Sequence, residues 1–124
     1  MAKILILEDN SELQTLYAES LAEKGHTVQG ATTVTEAFSS MLQEKPALLV
    51  LDIMLPGGAN GFDMLDQIKN NTLLADLKVI IITNLDGEEQ TARDAGAVDY
   101  IVKPNMSLED TVARIMAQLP AETA

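Results

Sequence analysis

The chain has 124 residues, which is enough for one domain with a sizeable buried core. It has no cysteine and only 3% aromatic residues, so disulfides and thiolate metal sites are excluded and the core must be aliphatic. With 19 acidic residues against 8 lysines and arginines, the formal net charge of −11 disfavours nucleic acid and anionic lipid and favours cationic partners or a divalent metal. The first apolar run, residues 4–7, is too short for a signal peptide or a membrane span, and we expect a cytoplasmic protein.

Short aliphatic runs alternate along the chain with segments of helical periodicity. Four of the runs are strongly apolar and one is less so: they cover residues 4–7, 27–31, 47–51, 79–82 and 100–102. A continuous aliphatic run bounded by turn residues is typical of a strand that is buried on both faces of a sheet. These five runs are therefore predicted strands.

A helical segment follows each run. Three of these segments begin with a capping-box pattern: Ser11 with Gln14, Thr33 with Glu36, and Ser107 with Asp110. Gly25 is expected to end the first helix, and a helix over residues 88–95 is weak because its main apolar residues are alanines. Five strand–helix units predict a doubly wound α/β domain with a parallel sheet and helices on both faces.

Polar residues stand where four of the predicted strands end: Glu8 and Asp9, Asp52, Thr83, and Lys103. In an open parallel sheet, ligands bind outside the carboxyl ends of the strands, so these side chains are expected to meet at one edge. Each residue also has a simpler explanation when it is taken singly. Asp52 can cap a turn, Asp9 or Asn10 can cap a helix, Thr83 can continue its strand, and Lys103 can be solvated.

Together these residues have the parts that phosphoryl transfer requires. Asp52 follows the most hydrophobic run, where a carboxylate is held rigidly and partly desolvated, as suits a nucleophile. Like charges about 4 Å apart cost on the order of 4 kcal/mol at an effective dielectric of about 20, and Mg²⁺ beside Glu8 and Asp9 would relieve this cost. With Thr83 to bond an oxyanion and Lys103 as a counter-charge, the product would be an aspartyl phosphate on Asp52.

The motifs ILILEDN, LLVLDIMLP, VIIIT and AGAVDYIVKP occur in an order that resembles the receiver domains of two-component response regulators, such as the chemotaxis regulator of bacteria. The resemblance covers nearly all of the chain. It implies a flavodoxin-like fold with strand order 2-1-3-4-5, a receiver domain over residues 1–119, and a short tail at 120–124. It also implies a signalling switch that catalyses only its own aspartyl phosphorylation and dephosphorylation, and not an enzyme with external substrates.

The resemblance assigns roles to the residues of the site. Asp52 would be the phosphoacceptor. Glu8, Asp9, Asp52 and the backbone carbonyl of Met54 would bind Mg²⁺.

Further roles follow from the same resemblance. Thr83 would contact the phosphoryl group, Lys103 would pair with it, and the peptide bond before Pro104 would be cis. Tyr100 would be the switch aromatic that swings inward as Thr83 is drawn to the phosphate, although an aromatic residue on an edge strand also packs against a helix for purely structural reasons.

Some residues depart from the pattern of the family. The residue after Thr83 is usually small and is Asn84 here, so we expect slow reaction with small phosphodonors. Met54 and Leu85 occupy positions that tune the attacking water in the family, and both are apolar here. They predict slow self-dephosphorylation.

The resemblance also implies partners. The phosphoryl donor would be a sensor histidine kinase or a histidine phosphotransfer protein, and the phosphorylated domain would signal to an unknown downstream protein target. We expect no binding to nucleic acid or membrane by this domain, and a monomer or weak homodimer. The segment between residues 83 and 100 is short for the family, so the fourth helix, part of the common output face, must be short as well.

Other proteins that use similar parts fit less well. A haloacid dehalogenase-type phosphatase needs a second acid two residues after Asp52, where Met54 stands. A flavodoxin would bind a flavin phosphate at the loop where Glu8 and Asp9 would repel it. The alternative that stays open is a receiver-like protein-binding module that works without phosphorylation.

Overall fold

The structure is a computed structural model that describes residues 3–8, 10–53, 60–84, 87–103 and 107–119. Within these residues, strands and helices alternate strictly. The elements in chain order are β1 (Lys3–Leu7), α1 (Ser11–Glu23), β2 (Thr27–Ala31), α2 (Val34–Gln43), β3 (Leu48–Leu51), α3 (Gly61–Lys69), β4 (Lys78–Thr83), α4 (Glu89–Asp94), β5 (Asp99–Val102) and α5 (Leu108–Ala117).

The strands form one parallel sheet in the order β2-β1-β3-β4-β5, which confirms the predicted fold class and strand order. The chain passes from β1 to β2 on one side and then to β3 on the other. Open α/β sheets bind their ligands at such a reversal, in the crevice beyond the carboxyl ends of the strands. Leu7 of β1 is in register with Leu51 of β3, so Glu8 and Asp52 begin at the same level of this edge.

Both faces of the sheet are buried, because successive side chains of a strand point to opposite faces. One hydrophobic cluster lies between the sheet and helices α1 and α5, and the other between the sheet and α2, α3 and α4. We call these the α1/α5 face and the α2–α4 face. Burial on both sides explains why the strands are continuous aliphatic runs without polar alternation.

The N-termini of three helices show which of the predicted capping boxes form. Thr33 accepts a hydrogen bond from the Glu36 N–H and Ser107 from the Asp110 N–H, each at 3.1 Å, as predicted. The predicted box at Ser11 is wrong. Asn10 is the N-cap of α1, and its Oδ1 accepts the Leu13 N–H at 3.1 Å. A short acceptor side chain one position earlier already satisfies one of the free N–H groups at the start of this helix.

Helix α4 has six residues and no capping hydrogen bond from the side chain of its N-cap, Glu88. The short fourth helix was expected from the sequence. Among the residues that the structure describes, no helix has both the length and the apolar character that crossing a bilayer requires.

Candidate functional site

Three of the predicted site residues form one ion-paired cluster at the carboxyl edge of the sheet. The Nζ atom of Lys103 lies 2.8 Å from Oε2 of Glu8 and 2.8 Å from Oδ2 of Asp52. The two carboxylate side chains are almost fully buried, with exposed fractions of 4% and 6%, and that of Lys103 is 15%. The prediction that polar strand ends converge at one edge is correct for these three residues.

The pleat of the strands explains why these three meet. Each stands two positions beyond a residue that packs on the α1/α5 face: Ile6 before Glu8, Val50 before Asp52, and Ile101 before Lys103. The alternation of the strands therefore directs all three side chains to that face. β4 lies between β3 and β5, and neighbouring strands are about 4.8 Å apart, so only a long side chain from β5 can reach Asp52. Lysine has that length.

Backbone hydrogen bonds hold the two acids in place. The N–H of Asp52 donates to the Leu7 carbonyl at 3.2 Å, which ties the end of β3 to the end of β1. The N–H of Glu8 donates to the Ala31 carbonyl at 3.2 Å, and Oε1 of Glu8 accepts the N–H of Asn10 at 3.1 Å. The position of each carboxylate thus follows from strand pairing and the first turn of α1.

Burial dominates the electrostatics of this cluster. Burial raises the pKa of Glu8, and the hydrogen bond from Lys103 offsets this only in part. Burial alone would lower the pKa of Lys103, but its hydrogen bonds to Asp52 and Glu8 outweigh that effect and raise it. Lys103 therefore stays a cation, and two buried carboxylates share its single charge.

Thr83 and Tyr100 lie on the other side of the sheet. Thr83 is fully buried at the end of β4 and is paired with Val102. Tyr100 is 5% exposed, belongs to the cluster on the α2–α4 face, and is paired with Ile81 of the same cluster. By alternation from Ile81, Thr83 shares that face, whereas Lys103 faces α1 and α5. The structure thus places the two proposed switch residues together, on adjacent strands.

Several predicted site residues lie outside the described part of the chain. These are Asp9, Met54 and Pro104, together with Leu85. The described residues contain no group of three or more acidic, histidine or cysteine side chains arranged around one point, and of the predicted metal ligands only Glu8 and Asp52 lie among them. Both are buried oxygen donors, and the ammonium group of Lys103 contacts both of them. This donor set fits a hard divalent cation such as Mg²⁺.

The sequence analysis missed two neighbours of the site. Tyr17 of α1 was assigned only to an apolar stripe, but burial raises its pKa and the charges of Lys103, Glu8 and Asp52 also act on it. The sequence could have indicated that Tyr17 lies near the site, because its helix α1 begins shortly after Glu8 at the end of β1.

The second missed neighbour is Gly61, the first residue of α3. A Cβ atom at this position would lie 2.6 Å from the carbonyl oxygen of Asp52 and 2.7 Å from Cα of Ile53. The N–H of Gly61 also donates to the Ile53 carbonyl at 2.8 Å. The helix can begin this close to the acidic strand end only because residue 61 has no side chain.

Comparison with characterised proteins identifies the family to which the chain is similar. The family profile described as response regulator receiver domain matches residues 4–116. The chain is 34% identical over 119 residues to the transcriptional regulatory protein HprR of Escherichia coli K12, covering 94% of this chain and 51% of HprR. It is 32% identical over 118 residues to the phosphate regulon transcriptional regulatory protein PhoB of Pseudomonas aeruginosa, covering 94% of this chain and 51% of PhoB. The chain spans about half the length of these relatives.

Solved structures agree with this. The non-phosphorylated HemR receiver domain of Leptospira biflexa superposes with a TM-score of 0.88 at 28% identity, covering all of this chain and 98% of that domain. The chemotaxis response regulator CheY4 of Vibrio cholerae has a TM-score of 0.86 at 20% identity and covers 96% of this chain and 99% of its own, which supports the fold. Since the family profile covers most of the chain, the chain belongs to the receiver domains of two-component response regulators.

Proposed function

We propose that Asp52 accepts a phosphoryl group from a phosphohistidine of a sensor histidine kinase or a histidine phosphotransfer protein. The observation that carries this proposal is the shared contact of Lys103 with Asp52 and Glu8, each at 2.8 Å. It supports a nucleophilic role for Asp52, because this nearly buried carboxylate has a permanent cation beside it at the carboxyl edge of the sheet. Such preorganised charge is the main protein contribution to phosphoryl transfer.

The chemistry assigns a task to each described residue. One carboxylate oxygen of Asp52 attacks the phosphorus atom while the bond from phosphorus to the imidazole nitrogen of the donor breaks. The bonding electrons return to that nitrogen, which then takes a proton. Lys103 would move one hydrogen bond from a carboxylate oxygen to a phosphoryl oxygen. Thr83 lies on the opposite face of the sheet, so its hydroxyl group would have to turn across the end of β4 to donate to another.

The metal site of the proposal uses Glu8 and Asp52, with the carboxylate of Asp9 and the carbonyl of Met54 as the ligands that the sequence predicts. When bound, Mg²⁺ would supply positive charge against the phosphoryl oxygens. The residues of the chain favour such an ion because burial already disfavours the charged form of Glu8, and Lys103 compensates only one of two buried negative charges.

The output step would follow from the added charge. Phosphorylation adds about −1.5 to −2 charges at Asp52. Thr83 would be drawn toward this group, and Tyr100 shares its face of the sheet. Helix α4, short and without a side-chain cap, is the element that such a shift would move at lowest cost.

The donor would dock along α1. The exposed surface of its first half contains Leu16, whose exposed fraction of 47% is high for a large apolar residue, beside Ser11, Glu12 and Thr15. Histidine kinases act in the cytoplasm, so we propose a cytoplasmic location. The relatives named above are transcriptional regulatory proteins of about twice this length, and a transcriptional output of a longer protein that contains this chain is part of the proposal.

Intact mass spectrometry after incubation with a small phosphodonor and Mg²⁺ tests the proposal. We expect one added phosphoryl group on the wild-type protein and none on Asp52→Asn. Asp63→Asn, which removes an exposed acid from the first turn of α3, is the matched control and should be labelled normally. Chelation of Mg²⁺ should abolish labelling.

Two outcomes would contradict the proposal. Equal labelling of the wild type and Asp52→Asn would exclude Asp52 as the acceptor. No labelling of the wild type by either a small phosphodonor or a phosphorylated histidine phosphotransfer protein would favour a receiver-like binding module that works without phosphorylation.

A further inference from the structure

Gln14 of α1 reaches back over the ends of two strands. Its side-chain amide Nε2 donates to three backbone carbonyl oxygens: that of Ala31 at 2.9 Å, that of Glu8 at 3.2 Å and that of Ile6 at 3.4 Å. Ile6 and Ala31 lie in β1 and β2, and Glu8 immediately follows β1. The two amide hydrogens of Gln14 thus bind backbone carbonyl groups at the carboxyl edge of the sheet, beside the cluster of Glu8, Asp52 and Lys103.

Gly30 of β2 leaves the space that this amide occupies. A Cβ atom at residue 30 would lie 2.2 Å from Oε1 of Gln14, 2.5 Å from its Cδ and 3.0 Å from its Nε2. The φ angle of Gly30 is not in the left-handed region, so its backbone conformation is open to any residue. What glycine provides here is therefore space for the side chain of Gln14.

The hydrogen bonds of Gln14 complete the attachment of Glu8. The N–H of Glu8 donates to Ala31, its Oε1 accepts from Asn10, and its Oε2 contacts Lys103. The carbonyl oxygen of Glu8, which accepts from Gln14, belongs to the peptide bond that joins Glu8 to Asp9. The hydrogen bond from Gln14 therefore fixes the direction of the Glu8 carbonyl group, immediately before the second predicted acidic ligand in the sequence.

We propose that Gln14 is a positioning residue for the metal-binding edge, and that Gly30 is its steric counterpart. The inference rests on the proposed function. Gln14 would contact neither the metal nor the phosphoryl group. It holds the backbone carbonyl of Glu8 at the end of β1, so that the first predicted ligand would bind Mg²⁺ from a backbone that is already fixed. Residues that orient metal ligands in this way commonly change affinity by about 10- to 100-fold when they are replaced.

Two substitutions remove the contact by different routes. Gln14→Met keeps the length of the side chain and removes its hydrogen bonds. Gly30→Ala keeps Gln14 but displaces its amide. Gln43→Met, the same chemical change on an exposed position of α2, and Gln29→Ala, at the exposed neighbour on β2, are the matched controls. If methionine prevents folding, Gln14→Asn keeps the amide and shortens its reach.

Isothermal titration calorimetry of Mg²⁺ binding and thermal unfolding without Mg²⁺ separate positioning from a structural role. We expect both test variants to weaken Mg²⁺ binding by about tenfold, and the double variant to be no worse than Gln14→Met alone, because the two changes remove one shared contact. Saturating Mg²⁺ should restore most of the phosphorylation rate, since the acceptor is intact. The two control variants should bind Mg²⁺ like the wild type.

Lowered melting temperatures with unchanged Mg²⁺ affinity in both test variants would overturn the inference and leave Gln14 a purely structural link between strands. Such a result would not affect the proposed function, because the wild type would still bind Mg²⁺ and be phosphorylated. If the wild type itself binds no Mg²⁺, the proposed function fails, and this inference fails with it.

Discussion

Lys103 and Asp52 meet across an intervening strand. They follow β5 and β3, and although β4 lies between these strands, Nζ of Lys103 donates to Oδ2 of Asp52 at 2.8 Å. The same atom contacts Glu8, which follows β1. One lysine therefore forms ion pairs with acids that follow two different strands, and the local charge balance depends on its presence.

Lys103→Met should destabilise the protein strongly in the absence of Mg²⁺. The substitution leaves two nearly buried carboxylates without a cation, and breaking a buried ion pair in this way costs about 3 kcal/mol or more. Added Mg²⁺ should recover more stability in this variant than in the wild type, because it replaces the missing positive charge. Urea denaturation with and without Mg²⁺ measures both effects.

Lys45→Met is the matched control for this prediction. Lys45 pairs with Asp76 at the surface, where both side chains are well exposed, at 40% and 83%. Such a pair contributes about 0 to 1 kcal/mol. An equal loss of stability in the two variants would show that the buried position of Lys103 has no special energetic role.

Glu8→Gln should change the pH dependence of stability in a metal-free buffer. Burial raises the pKa of Glu8 above its ordinary value of 4.5. The folded state then binds this proton more tightly than the unfolded state, so the stability it contributes is full below pH 4.5 and is lost as the pH rises through the folded pKa. Glutamine has no proton to lose. We therefore expect the unfolding free energy of Glu8→Gln, relative to that of the wild type, to rise from acid to neutral pH.

Mg²⁺ should reverse the order of stability of the two proteins in favour of the wild type, because Glu8→Gln loses a charged metal ligand. Denaturation across this pH range, with chelator and with Mg²⁺, checks both halves of the prediction. Glu12→Gln, at an exposed acid in the first turn of α1, should show neither effect. A pH profile of Glu8→Gln that runs parallel to that of the wild type would contradict the assigned direction of the pKa shift.

Gly61→Ala should impair both folding and phosphorylation. The added Cβ would lie 2.6 Å from the carbonyl oxygen of Asp52, so the strand end or the start of α3 must shift. Overpacking of this kind costs about 1–3 kcal/mol. A displaced Asp52 should also react more slowly with a phosphodonor, which mass spectrometry over time can measure.

Gly25→Ala is the control that separates the effect of backbone strain from the effect of displacing Asp52. Gly25 has a φ of +90° but nothing lies within 4 Å of its added Cβ. Alanine there should cost about 1 kcal/mol of stability through its backbone conformation and leave the phosphorylation rate unchanged. A normal phosphorylation rate in Gly61→Ala would mean that this glycine does not position Asp52.

Slow self-dephosphorylation stays a prediction from the sequence. Met54 and Leu85 are apolar at two positions that tune the attacking water in this family, and both lie outside the described residues. We expect the phosphorylated protein to persist for minutes or longer once the donor is removed. Intact mass measured at intervals follows the decay, and Leu85→Glu should accelerate it. A wild-type phosphoprotein that lasts only seconds would rule the prediction out.

The elements of this domain were predictable because their signals are local. The aliphatic runs became strands, and Thr33 and Ser107 became N-caps, because periodicity and capping depend on neighbours within a few positions. For the start of α1 the sequence offered both a box at Ser11 and a cap at Asp9 or Asn10, and the structure has the cap at Asn10. Local patterns did not separate these alternatives, since adjacent polar residues compete for the same free N–H groups.

The sequence also determined which polar residues end the strands, and the spacing from Ile6, Val50 and Ile101 places Glu8, Asp52 and Lys103 on one face. Only the tertiary structure decided that one lysine reaches across β4 to Asp52 and across both β4 and β3 to Glu8, because this depends on the order of strands that are far apart in the chain. The pairing of Gln14 with Gly30 was likewise invisible along the chain. A helix amide fills the space left by a missing side chain on a neighbouring element, and packing of that kind has no local signature.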